Sequence, residues 1–166
     1  MQKITTFMWF DDKAEEAMKF YVSLFKNSKI LSITRYGDPP PGAPTPWPKG
    51  KVLTGVFELA GQTFMALDGG PQFPFTEAIS LYVSCETQNE VDDLWTKLTA
   101  DGGQEAQCGW LKDRFGVSWQ IVPSAYEDMM NDPRGTPAQR KAMMAALLIM
   151  IKLDIAQLKR AYEQAK

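Results

Sequence analysis

Two stretches of this chain carry the same order of hydrophobic and polar positions. From Ile4 to Phe10 the side chains alternate as in a strand, with Ile4, Thr6, Met8 and Phe10 on one face and Thr5, Phe7 and Trp9 on the other. Asp12 and Glu15 have the spacing of a capping box. Ala17, Phe20, Tyr21, Leu24 and Phe25 then recur at intervals that predict a helix with one buried stripe. Asn27 and Ser28 end it, and a strand is predicted over Lys29–Tyr36. The order returns further along. Ala78–Cys85 reads as a strand and Thr87 with Glu90 as a second capping box. Val91, Leu94, Trp95 and Leu98 form a second one-sided helix, which stops at Asp101-Gly102-Gly103. The repeat is read as a duplicated βα module, or else as chance likeness between two ordinary amphipathic helices.

Lys51–Leu59 and Gln62–Leu67, joined by Ala60-Gly61, read as a hairpin. The run CGWLKDRFGVSWQIVP, residues 108 to 123, reads as a strand, a tight turn at Asp113-Arg114-Phe115-Gly116 and a strand. Gly116 suits φ > 0, and the two strands are predicted over Glu105–Leu111 and Val117–Val122. Alternation puts Ser118, Gln120 and Val122 on one face and Trp119 and Ile121 on the other. The segment DPPPGAPTPWPKG, residues 38 to 50, has six prolines in thirteen residues, so it is no central strand. It is a rigid connector or a lid with Trp47 as an apolar flap.

The rest is helical. Ser124–Asn131 reads as a short helix. Thr136-Pro137 is an N-cap with proline at the first helical position, and Asp154 can cap a last helix through Leu158 and Tyr162. Ala142, Met143, Ala146, Leu147 and Met150 form a stripe that serves as core, as a subunit contact, or as an adaptable binding face through Met143, Met144 and Met150.

Composition narrows the chemistry. The 166 residues suffice for one domain, and 45% apolar with 23% charged residues is the mix of a water-soluble globule. A net charge of −2 without a basic stretch argues against nucleic acid. The longest apolar run, MMAALLIMI, is too short to span a membrane, so no membrane is expected as a partner. MQKITTFMWF lacks the apolar core of a signal peptide, and the expected location is cytoplasmic. Cys85 and Cys108 are too few for a disulfide framework. The count of histidine is zero, which removes the commonest general base and metal ligand. Cys85 precedes a helix start, which can activate a thiol, but Glu86 lies beside it and an inert thiol is expected.

The strings ITTFMWFDDKAEEAMKFYVSLF, GQTFMALDGGP, ISLYVSCETQNEVDDLWTKL and CGWLKDRFGVSWQIVP resemble the PhnB-like branch of the vicinal-oxygen-chelate superfamily, a branch labelled 3-demethylubiquinone-9 3-methyltransferase. The superfamily includes glyoxalase I, bleomycin-resistance proteins and extradiol dioxygenases. The resemblance extends over nearly the whole chain, C-terminal helices included. It implies an α+β, glyoxalase/bleomycin-resistance-like fold within one domain. Two βαβββ modules, residues 3–70 and 77–123, would form a curved mixed sheet around a cleft, and residues 124–166 would be a helical extension. The second module is compressed, with little room for a full sixth strand. The resemblance also implies a homodimer, often with exchanged elements.

Metal-dependent members hold an ion with four side chains, typically two histidines and two glutamates. At the matching positions this chain has Thr5 or Thr6, Met65 or Ala66, about Ala78, and Gln120, four residues past Gly116. None is a good first ligand for a transition metal, so neither metal nor other cofactor is expected. Asp68, Glu86 and Asp113 could form a carboxylate site for a hard cation, but each reads better as a turn or cap residue.

Three functions stand at this point. One is a metal-free cleft for a small molecule, with or without catalysis, lined by Thr6, Met8, Phe64, Met65, Tyr82, Trp110 and Gln120. There Gln120 would offer two donors and an acceptor, unless it only satisfies buried backbone. The second is the methyltransferase that the family label names, acting on a demethylubiquinone-like phenol. Against it, no glycine-rich turn opens a helix, and LDGGP, residues 67–71, reads as a tight turn. The third is a non-catalytic dimeric interaction module.

Overall fold

The computed structural model describes residues 3–38 and 48–165. Most of the proline-rich segment, including Trp47, falls outside them, and so do the connector and lid readings. Among the described residues there are eight strands and five α-helices. No described helix is long and apolar enough to cross a membrane. The chain divides into two compact units, Met1–Phe75 and Thr76–Lys166.

The first unit runs β1 (Thr6–Phe10), α1 (Ala14–Leu24), β2 (Lys29–Arg35), β3 (Val52–Leu59) and β4 (Gln62–Asp68). Its sheet has the order β1-β4-β3-β2, with β1 and β4 parallel and the other pairs antiparallel. The register sets Met8 beside Ala66 and Phe10 beside Asp68, with Gly55 and Phe57 of β3 opposite Ala66 and Phe64. This face carries α1, whose Ala14, Ala17, Met18 and Tyr21 are buried. Gly55 makes the close approach possible, because a Cβ there would run into the Met18 side chain. Tyr21, Phe57 and Phe64 stack in series beneath the helix, with centroid spacings of 6.5 and 5.5 Å.

The start of α1 departs from the predicted capping box. Asp12 sits at φ 55° and the N-cap is Lys13, with no capping bond from its own side chain. The cap comes instead from the end of β4. Asp68 Oδ1 accepts from the backbone N–H of Lys13 at 2.9 Å and of Ala14 at 2.8 Å. Asp68 is 3% exposed, and burial pushes its carboxyl above the ordinary range while these two N–H donors pull it down. A carboxylate at a helix N-terminus serves the same donors whether it comes from the helix or from a neighbouring strand.

The second unit repeats the order with β5 (Ser80–Cys85), α2 (Gln88–Thr99), β6 (Gln104–Glu105), β7 (Trp110–Lys112) and β8 (Ser118–Pro123). The sheet order is β5-β8-β7-β6, again with the outer crossover pair β5 and β8 parallel. Each unit is therefore a βαβββ module with its own mixed sheet. β6 is two residues long, the expected compression. Thr87 accepts from Glu90 N as expected, while the Glu90 carboxylate reaches back to Glu86 N rather than to Thr87. Leu111, Trp119 and Ile121 lie on the face that packs against Val91, Leu94 and Leu98 of α2.

The strand predicted over Glu105–Leu111 is broken in two. Cys108 and Gly109 have φ of 61° and 80°, and Trp110 N–H donates to Gln107 O, which makes residues 107–110 a type I′ turn. The freed N–H groups of Cys108 and Gly109 donate to Met150 O and Ile151 O, more than 40 positions away in sequence. Those carbonyls follow α4 (Pro137–Leu148), which comes after α3 (Ser124–Asn131) and precedes α5 (Ile155–Gln164). Thr136 and Gln139 form a full capping box for α4, and Asp154 caps α5. Met143, Leu147 and Met150 are buried with Val122, Leu153, Leu158 and Tyr162, so the methionine stripe is core.

Candidate functional site

β5, β8 and β7 bring three of the sequence-selected residues into one row. Tyr82 is in register with Gln120, and Gln120 with Trp110. All three point away from α2, because their neighbours Leu111, Trp119 and Ile121 fill the opposite face. Tyr82 is 46% exposed, while Trp110 and Gln120 are half-buried. Gln120 is held: its Nε2 donates to Ser80 Oγ at 2.8 Å. Tyr82 is held from α3, its hydroxyl donating to Glu127 Oε1 at 2.8 Å. Burial first and the Glu127 carboxylate second raise the Tyr82 phenol above its ordinary pKa, so Tyr82 is a neutral donor here rather than a phenolate.

One step along the strands lies a second row, Ser80, Ser118 and Lys112. Lys112 Nζ pairs with Glu77. Ser118 is 1% exposed. Alternation placed Ser118 on the Gln120 face, but the inter-strand partners Ser80, Lys112 and Glu127 were invisible without the register.

The remaining selected residues are in the first unit. Met65 lies on the face of the first sheet away from α1, beside Phe7, with Trp9 and Leu67 one pair further on. Thr6, Met8 and Phe64 lie on the face that α1 covers, and Met8 and Phe64 are each 4% exposed. The pattern could not separate the faces of this strand, because both carry large apolar side chains.

Among the described residues, no three His, Cys, Asp or Glu side chains gather closely enough to hold a metal ion. The side chains at the four family positions, threonine, methionine or alanine, alanine and glutamine, do not fit a divalent transition metal. Two of the three acids considered for a hard cation, Asp68 and Asp113, have other work. Asp68 caps α1. Asp113, 3% exposed, folds the β7–β8 turn: Oδ1 accepts from Phe115 N at 2.8 Å and Val117 N at 3.0 Å, and Oδ2 accepts from Trp119 Nε1 at 2.8 Å. Cys85 is fully buried, and burial pushes its thiol up to about 12. The pair Gly69-Gly70 opens no helix. Gly69 lies under the Trp9 ring, where a Cβ would collide, and Gly70 O accepts from Trp9 Nε1 at 2.7 Å.

Two βαβββ modules in one chain, each with a helix on one face of a mixed sheet and an open face opposite, define an α+β protein of the glyoxalase/bleomycin-resistance-like kind. The chain belongs to the family described as 3-demethylubiquinone-9 3-methyltransferase, whose model matches residues 2–122. Residues 123–166, with α3 to α5, lie outside that match, although the resemblance read from the sequence extended to them. The chain is similar to the PhnB protein from Bacillus cereus, with 46% identity over 74% of this chain and 99% of that one and a TM-score of 0.65. It shares its fold with protein PA1353 from Pseudomonas aeruginosa, at 22% identity over 74% of this chain and 98% of that one and a TM-score of 0.60. No curated protein matches the chain.

Proposed function

We propose that this chain binds a small, planar or apolar molecule without a metal, on the open face of its second sheet. The observation that carries the proposal is the row Tyr82, Gln120 and Trp110. Two half-open aromatic side chains flank an amide that is positioned by Ser80. Aromatic walls around a few fixed polar groups are the usual make-up of a small-molecule site. Gln120 stands where metal-dependent relatives carry a glutamate ligand, and its amide suits a carbonyl or hydroxyl of a ligand instead. Thr6, Met8, Phe64 and Met65 lie in the first unit and are no part of this row, and Met8 and Phe64 are buried beneath α1. The homodimer and the cytoplasmic location expected from the sequence go with the same reading.

The family description names methyl transfer to a demethylubiquinone. The glycine pair after β4, the turn that follows a strand as a nucleotide-binding turn would, is occupied by Trp9. The test is tryptophan quenching and thermal shift with menadione as a planar apolar probe, on the native protein and on Trp110→Ala and Gln120→Leu. Saturable quenching that both substitutions weaken at least about tenfold supports the reading, that factor being roughly the worth of one lost contact or hydrogen bond. Equal affinity in all three proteins removes the row as the site. Methyl transfer from S-adenosylmethionine to a demethylubiquinone analogue would replace the reading with the family's label.

A further inference from the structure

The C-terminal helices stand along one side of the row. Val122, two residues past Gln120 on the same face of β8, is buried with Met143 and Leu147 of α4, and Tyr126 of α3 packs against that cluster. The helices touch the row itself through Glu127 of α3, which accepts from the Tyr82 hydroxyl at 2.8 Å. α3 lies beyond the residues that the family model matches, so this contact belongs to the chain's own extension. A phenol has one proton, and here it is committed to Glu127. Tyr82 Oη therefore offers a ligand only lone pairs, and the Glu127 carboxylate likewise accepts only. Glu127 is exposed, and among the described residues no lysine or arginine pairs with it. Lys112, one pair further along the strands, is neutralised by Glu77, so the unbalanced charge that touches the row is negative.

The row is thus polar in one direction. At the Tyr82 end it presents acceptors and a negative charge, in the middle the Gln120 amide with one N–H already given to Ser80, and at the far end the Trp110 ring. Tyr82 and Trp110 stand two inter-strand spacings apart, about 10 Å, which is room for one ring and a short tether. An anion is repelled at the Tyr82 end. A neutral alcohol brings one donor to two acceptors. An ammonium brings three donors and the complementary charge. We propose that the ligand of the row is an arylalkylamine bound as its ammonium form. Its ammonium donates to Glu127 Oε2 and Tyr82 Oη, and its ring lies against Trp110 over Gln120. The inference rests on the row being the binding site and deepens that reading by naming the substrate class.

The experiment is a titration of the full chain followed by amide NMR, with 2-phenylethylamine, 2-phenylethanol and 3-phenylpropionate, which share a ring and differ in the charge at the end of the tether. The amine is expected to shift the Tyr82, Gln120 and Trp110 amides in a saturable way. It is expected to bind at least about fivefold more tightly than the alcohol, the scale of one charge-assisted hydrogen bond at a half-exposed site, with the carboxylate weakest. Glu127→Gln is the decisive variant, because it keeps an acceptor for the Tyr82 hydroxyl and removes the charge. It is expected to bring amine and alcohol to within about twofold of each other, the size of an exposed charge effect at most. Asp128→Asn removes the same charge from the next position of α3 and is expected to keep the preference. Because each variant is read as a ratio of two ligands, a general loss of affinity does not imitate the result. An amine that binds no better than the alcohol, or a preference lost equally in Asp128→Asn, would overturn the inference. If menadione binds at the row and the amine shows no preference, the proposed function stands and only the substrate class falls. If neither menadione nor the amine gives a saturable shift, both fall.

Discussion

Replacing Asp113 by Asn tests how the site is held in register. The substitution changes no volume, and Asn suits the same turn. In the native turn one carboxylate oxygen accepts from Phe115 N and Val117 N and the other from Trp119 Nε1, all at 2.8 to 3.0 Å and away from water. An amide has one acceptor oxygen. Kept on the two backbone donors, it turns its own NH₂ toward the indole N–H, so one charge-assisted bond is lost and two donors face each other. Flipped, it satisfies Trp119 and abandons two backbone donors. Even the better orientation loses a bond to a charged group and leaves the buried Trp119 donor unpaired, which together amounts to about 2–4 kcal/mol.

The assay is urea denaturation followed by tryptophan fluorescence, with a double-mutant cycle against Trp119→Phe. Removing the indole donor removes the conflict. Asp113→Asn is therefore expected to cost less when combined with Trp119→Phe than alone, with a coupling of about 1–3 kcal/mol. A loss below about 0.5 kcal/mol for Asp113→Asn, or additivity within that margin, would refute the account. Because the turn joins β7 to β8, the same variant is expected to blur the alignment of Trp110 with Gln120 and weaken binding at the row.

Ala60 sits at φ 48° in the two-residue turn between β3 and β4, ahead of Gly61 at 84°, so Ala60→Asn is expected to stabilise by about 0.5–1 kcal/mol; an unchanged or lower Tm would show that the turn is not strained. Glu15 is held down to about 2 by its hydrogen bond from Arg35 and then by Lys19. Its lowered pKa means that the pair's contribution is present above the ordinary carboxylate range and lost as pH falls toward 2; carboxyl NMR titration should show this, with Arg35→Gln moving Glu15 up. Cys85, buried and raised to about 12, should resist iodoacetamide at about pH 8 until the protein unfolds, and alkylation at the rate of a free thiol in the folded state would contradict its burial.

The sequence by itself determined the order of elements and most of their caps. Period and capping chemistry are local, and Thr87, Thr136 and Asp154 each serve donors three residues away, whatever the rest of the chain does. The β3–β4 and β7–β8 turns were legible for the same reason. The absence of histidine was also legible there, as a plain count. The tertiary structure decided whatever depends on partners distant in sequence. The cap of α1 comes from Asp68, more than 50 residues downstream, where local spacing suggested Asp12. The turn at Cys108-Gly109 interrupts an apparently continuous strand because carbonyls beyond α4 take its N–H groups. The two faces of β1 look alike in sequence, and only the side on which α1 lies makes Met8 core. The row of Tyr82, Gln120 and Trp110 exists because parallel and antiparallel pairing fix three separate strands in one register, and register is a relation between strands that no single stretch of sequence contains.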